Sequence, residues 1–463
     1  MITVGAYAGR KVAVFGLARS GLATARALRE GNAHVIAWDD NPGRRAAAKA
    51  EGFEVADLAA IDWKDIAAFV PSPGVPLTHP APHPFVTIAK QNGIPVIGDA
   101  ELFELARPQL PAHRVVAITG TNGKSTTTAL IGHIVKAAGL PVAVGGNIGR
   151  PILDLEPLPE GGVYVFELSS YQIDLTETFR ADVAVLLNLT PDHLDRHGDM
   201  AGYALAKERL FTRQGGGDVA VIGVDDDHGR QFAASLKGPK VVAISSERAV
   251  GHGVSAADGT LIDATAGTPL PIGGLDGAQA LRGQHNWQNA AAAYAAARAL
   301  GIASDAIFAA LLSFPGLDHR LQRVGAVGGI EFINDSKATN IDAASKALAT
   351  FPRIHWIAGG KPKSEDLSPL APWFPAIRRA YLIGDAAQAF ARSLDGKVDH
   401  VIAGDMETAT RMAYRDAAEA GEPAVVLLSP ACASFDQFED FEHRGRVFAE
   451  ISRRIIAEEE GRA

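Results

Sequence analysis

Residues 120–126, Gly-Thr-Asn-Gly-Lys-Ser-Thr, combine a flexible turn, a cation and hydroxyls in an order that can grip a phosphate chain. An apolar run at 115–119 precedes them and a stretch opening Thr127-Thr-Ala-Leu follows, so the turn is expected between a strand and a helix. Backbone N–H groups at a helix start hold phosphate oxygens, Lys124 adds a point charge, and the Ser125 hydroxyl suits Mg²⁺. Ile118 stands where the G-x-x-x-x-G-K-[ST] pattern has its first glycine, so the loop is a shortened clamp. Its expected ligand is a nucleoside triphosphate, ATP in the first place.

A second glycine turn, Gly16-Leu-Ala-Arg-Ser-Gly21, follows the run 11–15, and the next run ends in Asp39-Asp40. A strand, a glycine turn, a helix and an acidic residue about 20 positions on make the dinucleotide-binding outline. Ala18 occupies the middle position, where a glycine normally lets the backbone approach a pyrophosphate. Two readings stay open here: a nucleotide diphosphate other than NAD, or a tight turn without a ligand.

Glu167 ends the run 163–167, and His193 follows the run 183–188. Both are expected at the carboxyl edge of a parallel sheet, where α/β proteins bind ligands. A carboxylate with an imidazole suits a divalent cation bridging phosphates. Taken alone, His193 equally fits a capping or surface residue. Lys207, in Tyr203-Ala-Leu-Ala-Lys, reads by periodicity as a solvated helix lysine.

Positioning these groups requires sheets. Short apolar runs at 11–15, 34–38, 115–119, 163–167, 183–188, 219–223, 329–334, 354–358, 381–384 and 425–429 alternate with Ala-rich helical stretches. This is the pattern of parallel α/β sheets. The segment 249–283 reads as turns and short strands. Proline-bearing seams near 98–113 and 313–325, with a length of 463 residues, divide the chain into three α/β domains at 1–100, 101–312 and 313–463. The first and last are expected to be Rossmann-like, and the central one a P-loop mononucleotide-binding domain.

Composition narrows the class. With 44 Lys+Arg against 53 Asp+Glu, the net charge of −9 gives nothing to attract nucleic acid or an anionic membrane non-specifically. A single cysteine, Cys432, excludes an internal disulfide or an all-cysteine metal site. No apolar run is long enough to span a bilayer, and no signal pattern is visible, so the chain is expected to be soluble and cytoplasmic. A monomer is the expected state.

Taken together, 120–126, Gly146-Asn-Ile-Gly149, Glu167-Leu-Ser-Ser-Tyr-Gln172, Asn188-Leu-Thr-Pro-Asp-His193-Leu-Asp and Gly283-Gln-His-Asn-Trp-Gln-Asn289 resemble the Mur ligase family. These are ATP-dependent amide ligases of peptidoglycan precursor synthesis, a process that serves cell shape and division. Asp335-Ser-Lys-Ala-Thr-Asn340 and Ser429-Pro-Ala-Cys-Ala-Ser-Phe-Asp-Gln-Phe438 resemble the branch that adds D-glutamate to UDP-N-acetylmuramoyl-L-alanine. The resemblance implies ATP and two Mg²⁺ ions, and an acyl phosphate that the amine of glutamate attacks.

It also implies roles for individual residues. Lys124, Glu167, His193 and Lys207 would be catalytic. Gly120, Thr121, Asn122, Gly123, Lys124, Ser125, Thr126, Asn289, Arg320, Asp335 and Lys337 would bind ATP. Arg19, Ser20, Asp39, Ser72, Pro73, Gly74, Asn147 and His193 would hold the UDP substrate, with Arg19 replacing an apolar family residue. Thr339, Lys363, Ser434, Phe435 and Phe441 would bind D-glutamate, with Phe435 replacing an aliphatic one. Ser125, Glu167, His193 and Lys207 would form the metal site, Lys207 as a carbamate. In this picture the third domain closes over nucleotide held by the second.

Three rivals remain at this stage. Sister ligases share the clamp but differ at 335–340 and 431–438. A nicotinamide-dependent oxidoreductase would use the Gly16 turn, against which Ala18 counts. A non-catalytic ATP-gated module would release no phosphate.

Overall fold

The computed structural model describes residues 1–461. It contains three sheets flanked by helices, the α/β class expected from the alternating runs. The first sheet orders Glu54–Val55, His34–Trp38, Lys11–Phe15 and Ile66–Pro71, all parallel. The second centres on His113–Thr119, with Gly162–Glu167 and Val142–Gly146 on one side and Val183–Leu186, Val219–Gly223 and Lys240–Ser245 on the other. Gly253–Ser255, Thr260–Asp263 and Leu270–Gly274 extend it, so the turn-rich segment becomes an edge, its last two pairings antiparallel. The third sheet runs Gln322–Val327, Ile330–Asn334, Ala424–Leu428, Ile354–Gly359, Ile377–Ile383 and His400–Gly404, with only the first pair antiparallel.

Contacts divide the chain into two compact units, residues 1–277 with 286–313, and residues 278–285 with 314–463. Within the first unit one apolar core joins two sheets: Val12 and Val14 share a cluster with Phe103, Phe166 and Leu186. Helix Asp99–Ala106 contributes Leu102 and Phe103 to that cluster. The all-buried strands Gly162–Glu167 and Val183–Leu186 are apolar on both faces because helices cover both sides. In the second unit Trp356 and Phe390 pack on one face of the sheet, and Phe332, Tyr381 and Phe448 on the other.

Strand boundaries differ from the sequence pattern where side chains compete with the ladder. The run expected to reach residue 188 stops at Leu186, because Asn188 turns to hold the glycine loop described below. The strand expected from 381 begins at Ile377; Arg378 and Arg379 hide its start, and both pair with carboxylates. Gln322–Val327 escaped notice because Arg323 and Gly325 interrupt its apolar alternation.

Candidate active site

The strand His113–Thr119 runs into the loop 120–123, and helix Lys124–Ala137 starts immediately after it. Gly120 and Gly123 adopt φ of 145° and 86°, which an L side chain rarely adopts. A Cβ on Gly123 would also lie 2.2 Å from Asn289 Oδ1. The Lys124 ammonium donates to the carbonyls of Gly120 (3.0 Å) and Thr121 (2.8 Å), curling over the loop. Asn188 braces the loop from the adjacent strand end, accepting from Asn122 N–H (2.9 Å) and donating to Asn122 O (3.2 Å). Its amide also donates to Gln288 Oε1 (3.1 Å), and Gln288 donates to Asp225 (2.9 Å). Asn289 accepts from Thr127 Oγ1 (3.1 Å) and donates to Asn286 (3.0 Å). Ser125 is buried at the first turn.

Glu167 ends the strand paired with the one that leads into this loop, and Lys207 bonds the loop itself. Glu167 is 2% exposed; its Oε1 accepts from Asn147 Nδ2 at 2.7 Å, while its Oε2 is buried without a hydrogen-bond partner. Such an atom costs free energy unless something binds it. Lys207 lies in helix Met200–Glu208, capped by Asp199. It is 1% exposed, so the solvated helix lysine that periodicity suggests is not what forms. Its ammonium donates to Gly120 O (2.9 Å) and lies 4.6 Å from the Tyr203 ring centre. Burial first, and the nearby Lys124 charge second, push its pKa well below the usual lysine value.

His193 is half-exposed, with its backbone in the left-handed region at φ 53°. That conformation costs roughly 1–2 kcal/mol for an L residue, so its neighbours must hold it. The ring packs against Tyr171 at 5.0 Å between centres, and burial holds its pKa below the usual histidine value. His197, one turn on, bonds Ser170 Oγ (2.9 Å); burial and the Lys207 charge push it down to about 4. Among the described residues no group of three or more His, Cys, Asp or Glu side chains is placed to hold a metal. The orphaned Glu167 oxygen and the buried Ser125 hydroxyl fit Mg²⁺.

The first sheet brings the other glycine turn to its carboxyl edge. Gly16 (φ 92°) leaves no room for a Cβ, which would meet Ser72 Oγ at 2.2 Å. Ser72 donates to Gly16 O at 3.1 Å. Asp39 accepts from Leu17 N–H (2.6 Å) and Asn41 N–H (2.8 Å). Burial alone would raise its pKa, but these bonds and Arg44 hold it below the usual carboxylate range. Ser20, Ser72 and Pro73 line one small cavity there, and Arg19 bonds the carbonyl of Gly149. Gly74, following Pro73, and Asn147, two residues before Gly149, are both exposed.

The second unit holds the remaining candidates. Asp335 accepts from Ser429 Oγ (2.9 Å) and Leu321 N–H (3.2 Å), and burial raises its pKa to about 7. Lys337 stacks its ammonium 3.7 Å from the Phe441 ring centre, and Lys337 N–H donates to His319 O (3.0 Å) beside Arg320. Lys363 lines a cavity of about 350 Å³ with Asn340, Ser364, Asp366 and Ala431, next in sequence to Thr339. Ser434 is buried, whereas Phe435 is 69% exposed.

The Asp335 carboxyl titrates at about 4 when unfolded and about 7 when folded. Between those values the folded state keeps a proton that the unfolded state releases, so stability falls as pH rises through this window and levels above it. Asp335→Asn is expected to lack that slope. Urea unfolding of both proteins at pH 5 and pH 8 checks this; equal pH dependence would remove the assignment.

Sequence reasoning missed Tyr171, Tyr203, Gln288, Asp225 and Arg444. Asp225 lies in an acidic run that reads as solvated, and Arg444 on a helix that reads as charged surface. In fact Arg444 is fully buried and donates to Ser336 O (2.8 Å), Cys432 O (3.0 Å) and Ala433 O (3.2 Å), clasping the 432–434 segment.

The chain is similar to known proteins in sequence and in fold. The description "Mur ligase middle domain" matches residues 118–297, and "Mur ligase, glutamate ligase domain" matches 319–432. The UDP-N-acetylmuramoylalanine--D-glutamate ligase of Phenylobacterium zucineum (strain HLK1) is 54% identical over 454 residues, 97% of either chain. The enzyme of that name from Rhizobium etli is also 54% identical, over 97% of this chain and 96% of its own. In fold, the UDP-N-acetylmuramate-alanine ligase of Thermotoga maritima superposes with a TM-score of 0.56 at 18% identity, covering 96% of this chain and 99% of its own. A pseudomurein peptide ligase type C from Methanothermus fervidus gives 0.55 at 17% identity, over 96% of this chain and 100% of its own. With two domain matches, full-length relatives and a shared three-sheet fold, the chain belongs to the Mur ligase family.

Proposed function

We propose that this chain is an ATP-dependent amide ligase that joins D-glutamate to UDP-N-acetylmuramoyl-L-alanine in peptidoglycan precursor synthesis. The observation that carries the chemistry is the phosphate loop with Lys124 on its carbonyls, flanked by the orphaned oxygen of Glu167 and the buried Lys207. The full-length relatives' names supply the substrates. Residues 1–100 take the UDP substrate through Arg19, Ser20, Asp39, Ser72, Pro73 and Gly74. Residues 101–312 hold ATP through Gly120, Thr121, Asn122, Gly123, Lys124, Ser125, Thr126 and Asn289. Residues 313–463 supply Arg320, Asp335 and Lys337 to the nucleotide, and Thr339, Lys363, Ser434, Phe435 and Phe441 to D-glutamate.

A carboxylate does not form an amide at neutral pH without activation. Lys124 and the loop N–H groups hold the γ-phosphoryl in line with the alanine carboxylate, whose oxygen attacks phosphorus as ADP leaves. Asn147 and His193 orient that carboxylate. The amine of D-glutamate then attacks the acyl carbon, and phosphate leaves. Lys363 matches the dicarboxylate with a point charge. Mg²⁺, when bound by Ser125, Glu167, His193 and a carbamate on Lys207, neutralises the phosphate charge. Two such ions, a monomeric state and a cytoplasmic location complete this reading. No helix among the described residues is long and apolar enough to cross a membrane.

Phosphate release with ATP and UDP-N-acetylmuramoyl-L-alanine, measured across a panel of amino acids, tests the proposal. Release must be confined to D-glutamate; response to L-alanine or a diamino acid instead would assign a sister reaction. Within that assay, Lys363→Ala or Ser434→Ala is expected to raise the KM for D-glutamate by about 10–100-fold, as loss of one charge-assisted contact does. ATP affinity should change less than twofold, and a parallel collapse of it would refute this division of the site.

A further inference from the structure

None of these steps uses Arg196, yet it ties two parts of the proposed site together. It sits in the one-turn helix Leu194–His197, three residues past the strained His193, and its N–H donates to His193 O at 3.0 Å. Its guanidinium reaches from this loop of the second sheet to the first, donating from Nη1 to Gly74 O at 2.6 Å. The same group lies 4.7 Å from the centre of the Tyr171 ring, which packs against His193 and stacks on His197. Its Nε is buried without a hydrogen-bond partner, so the side chain is held by the carbonyl and the ring rather than by a carboxylate. Gly198 closes the loop against the first sheet's connection: a Cβ there would meet the His79 ring at 3.1 Å.

A reciprocal tie lies alongside. Arg19, from the first glycine turn, bonds Gly149 O in the segment whose Asn147 donates to Glu167. Each turn proposed to carry the diphosphate is thus fastened by one arginine to a loop of the second sheet, one carrying His193 and the other the Asn147 that bonds Glu167.

We propose that Arg196 is a positioning residue that fixes the span between the turn at 72–74 and the His193 loop. A substrate anchored by its diphosphate at one end then presents its carboxylate correctly at the other. The idea rests on the function proposed above. A planar guanidinium can stack on Tyr171 and bond the Gly74 carbonyl at once, which an ammonium cannot. Gly74 is an exposed turn residue, so the bond does more for the turn's position than for the fold. Misplacement by about 1 Å at a reacting centre can cost on the order of 10²-fold in rate.

The test uses the full chain with Arg196→Lys and, should one variant fold poorly, Arg196→Leu. Hydrogen–deuterium exchange of the ligand-free proteins is expected to speed up at both 72–76 and 190–198. With UDP-N-acetylmuramoyl-L-alanine, kcat should fall at least about tenfold, while affinities for ATP and for free UDP stay within twofold. Unchanged kcat, faster exchange confined to 190–198, or ATP affinity falling with kcat would each overturn the proposal. Should the wild-type protein release no phosphate with these substrates, the proposed function fails, and exchange at 72–76 still decides the role of Arg196.

Discussion

Lys124→Ala is expected to abolish ligation, lowering kcat by about 10³-fold or more, the size of effect found when a charge on a transferring phosphoryl group is removed. The loss should fall on kcat rather than on ATP affinity, because the charge matters most where negative charge spreads over the phosphoryl oxygens in the transition state. The fold should survive. Lys124 donates to the carbonyls of Gly120 and Thr121, and its removal takes a repelling charge away from Lys207. That second effect gives the prediction a distinctive companion. Without Lys124 the Lys207 ammonium is less disfavoured, so its pKa rises and less neutral amine is present at a given pH. Any modification of Lys207 that needs the neutral amine should therefore decrease in Lys124→Ala. Product formation at near wild-type rate would remove the phosphate-clamp assignment.

How far the sequence reveals this site depends on the physics behind each residue. The strands Lys11–Phe15, His34–Trp38 and Val219–Gly223 form over the residues their apolar runs indicate, because burial on both faces leaves little freedom in composition. The phosphate loop is equally legible: left-handed backbone and the approach of Asn289 demand glycines at 120 and 123. Most first-sheet and D-glutamate candidates came through family resemblance rather than local pattern. Burial of polar groups was not legible. Lys207 and Arg444 sit on helices whose local pattern says solvent, and only tertiary packing against Gly120 in one case and the 432–434 segment in the other brings them inside. Tyr171 and Arg196 stayed hidden for a related reason, since their partners come from distant stretches of the chain.

Lys207→Ala is expected to lose at least about 10²-fold in activity, with acetate restoring part of it. The motivation is the environment: a lysine 1% exposed, bonded to Gly120 O, beside Lys124 and near Glu167. An ammonium there would repel Mg²⁺, whereas a carbamate offers two oxygens and a negative charge. Carbamate forms when the neutral amine nitrogen attacks the carbon of CO₂ and loses a proton, so it requires a lysine that gives up its proton readily. Burial and Lys124 both push Lys207 in that direction. The sign of the pH dependence follows. Raising pH increases the neutral fraction, and the downward shift lets this happen at lower pH than for a solvated lysine. At a fixed low CO₂ concentration, wild-type activity should therefore climb with pH and reach its plateau below the ordinary lysine range. Acetate brings carboxylate oxygens without needing CO₂, so the rescued activity should be insensitive to CO₂ removal. Carbon-13 resonance of protein equilibrated with labelled CO₂ reads the adduct directly. An active Lys207→Ala variant, together with an unmodified lysine in active wild-type enzyme, would leave Ser125, Glu167 and His193 to hold the metal alone.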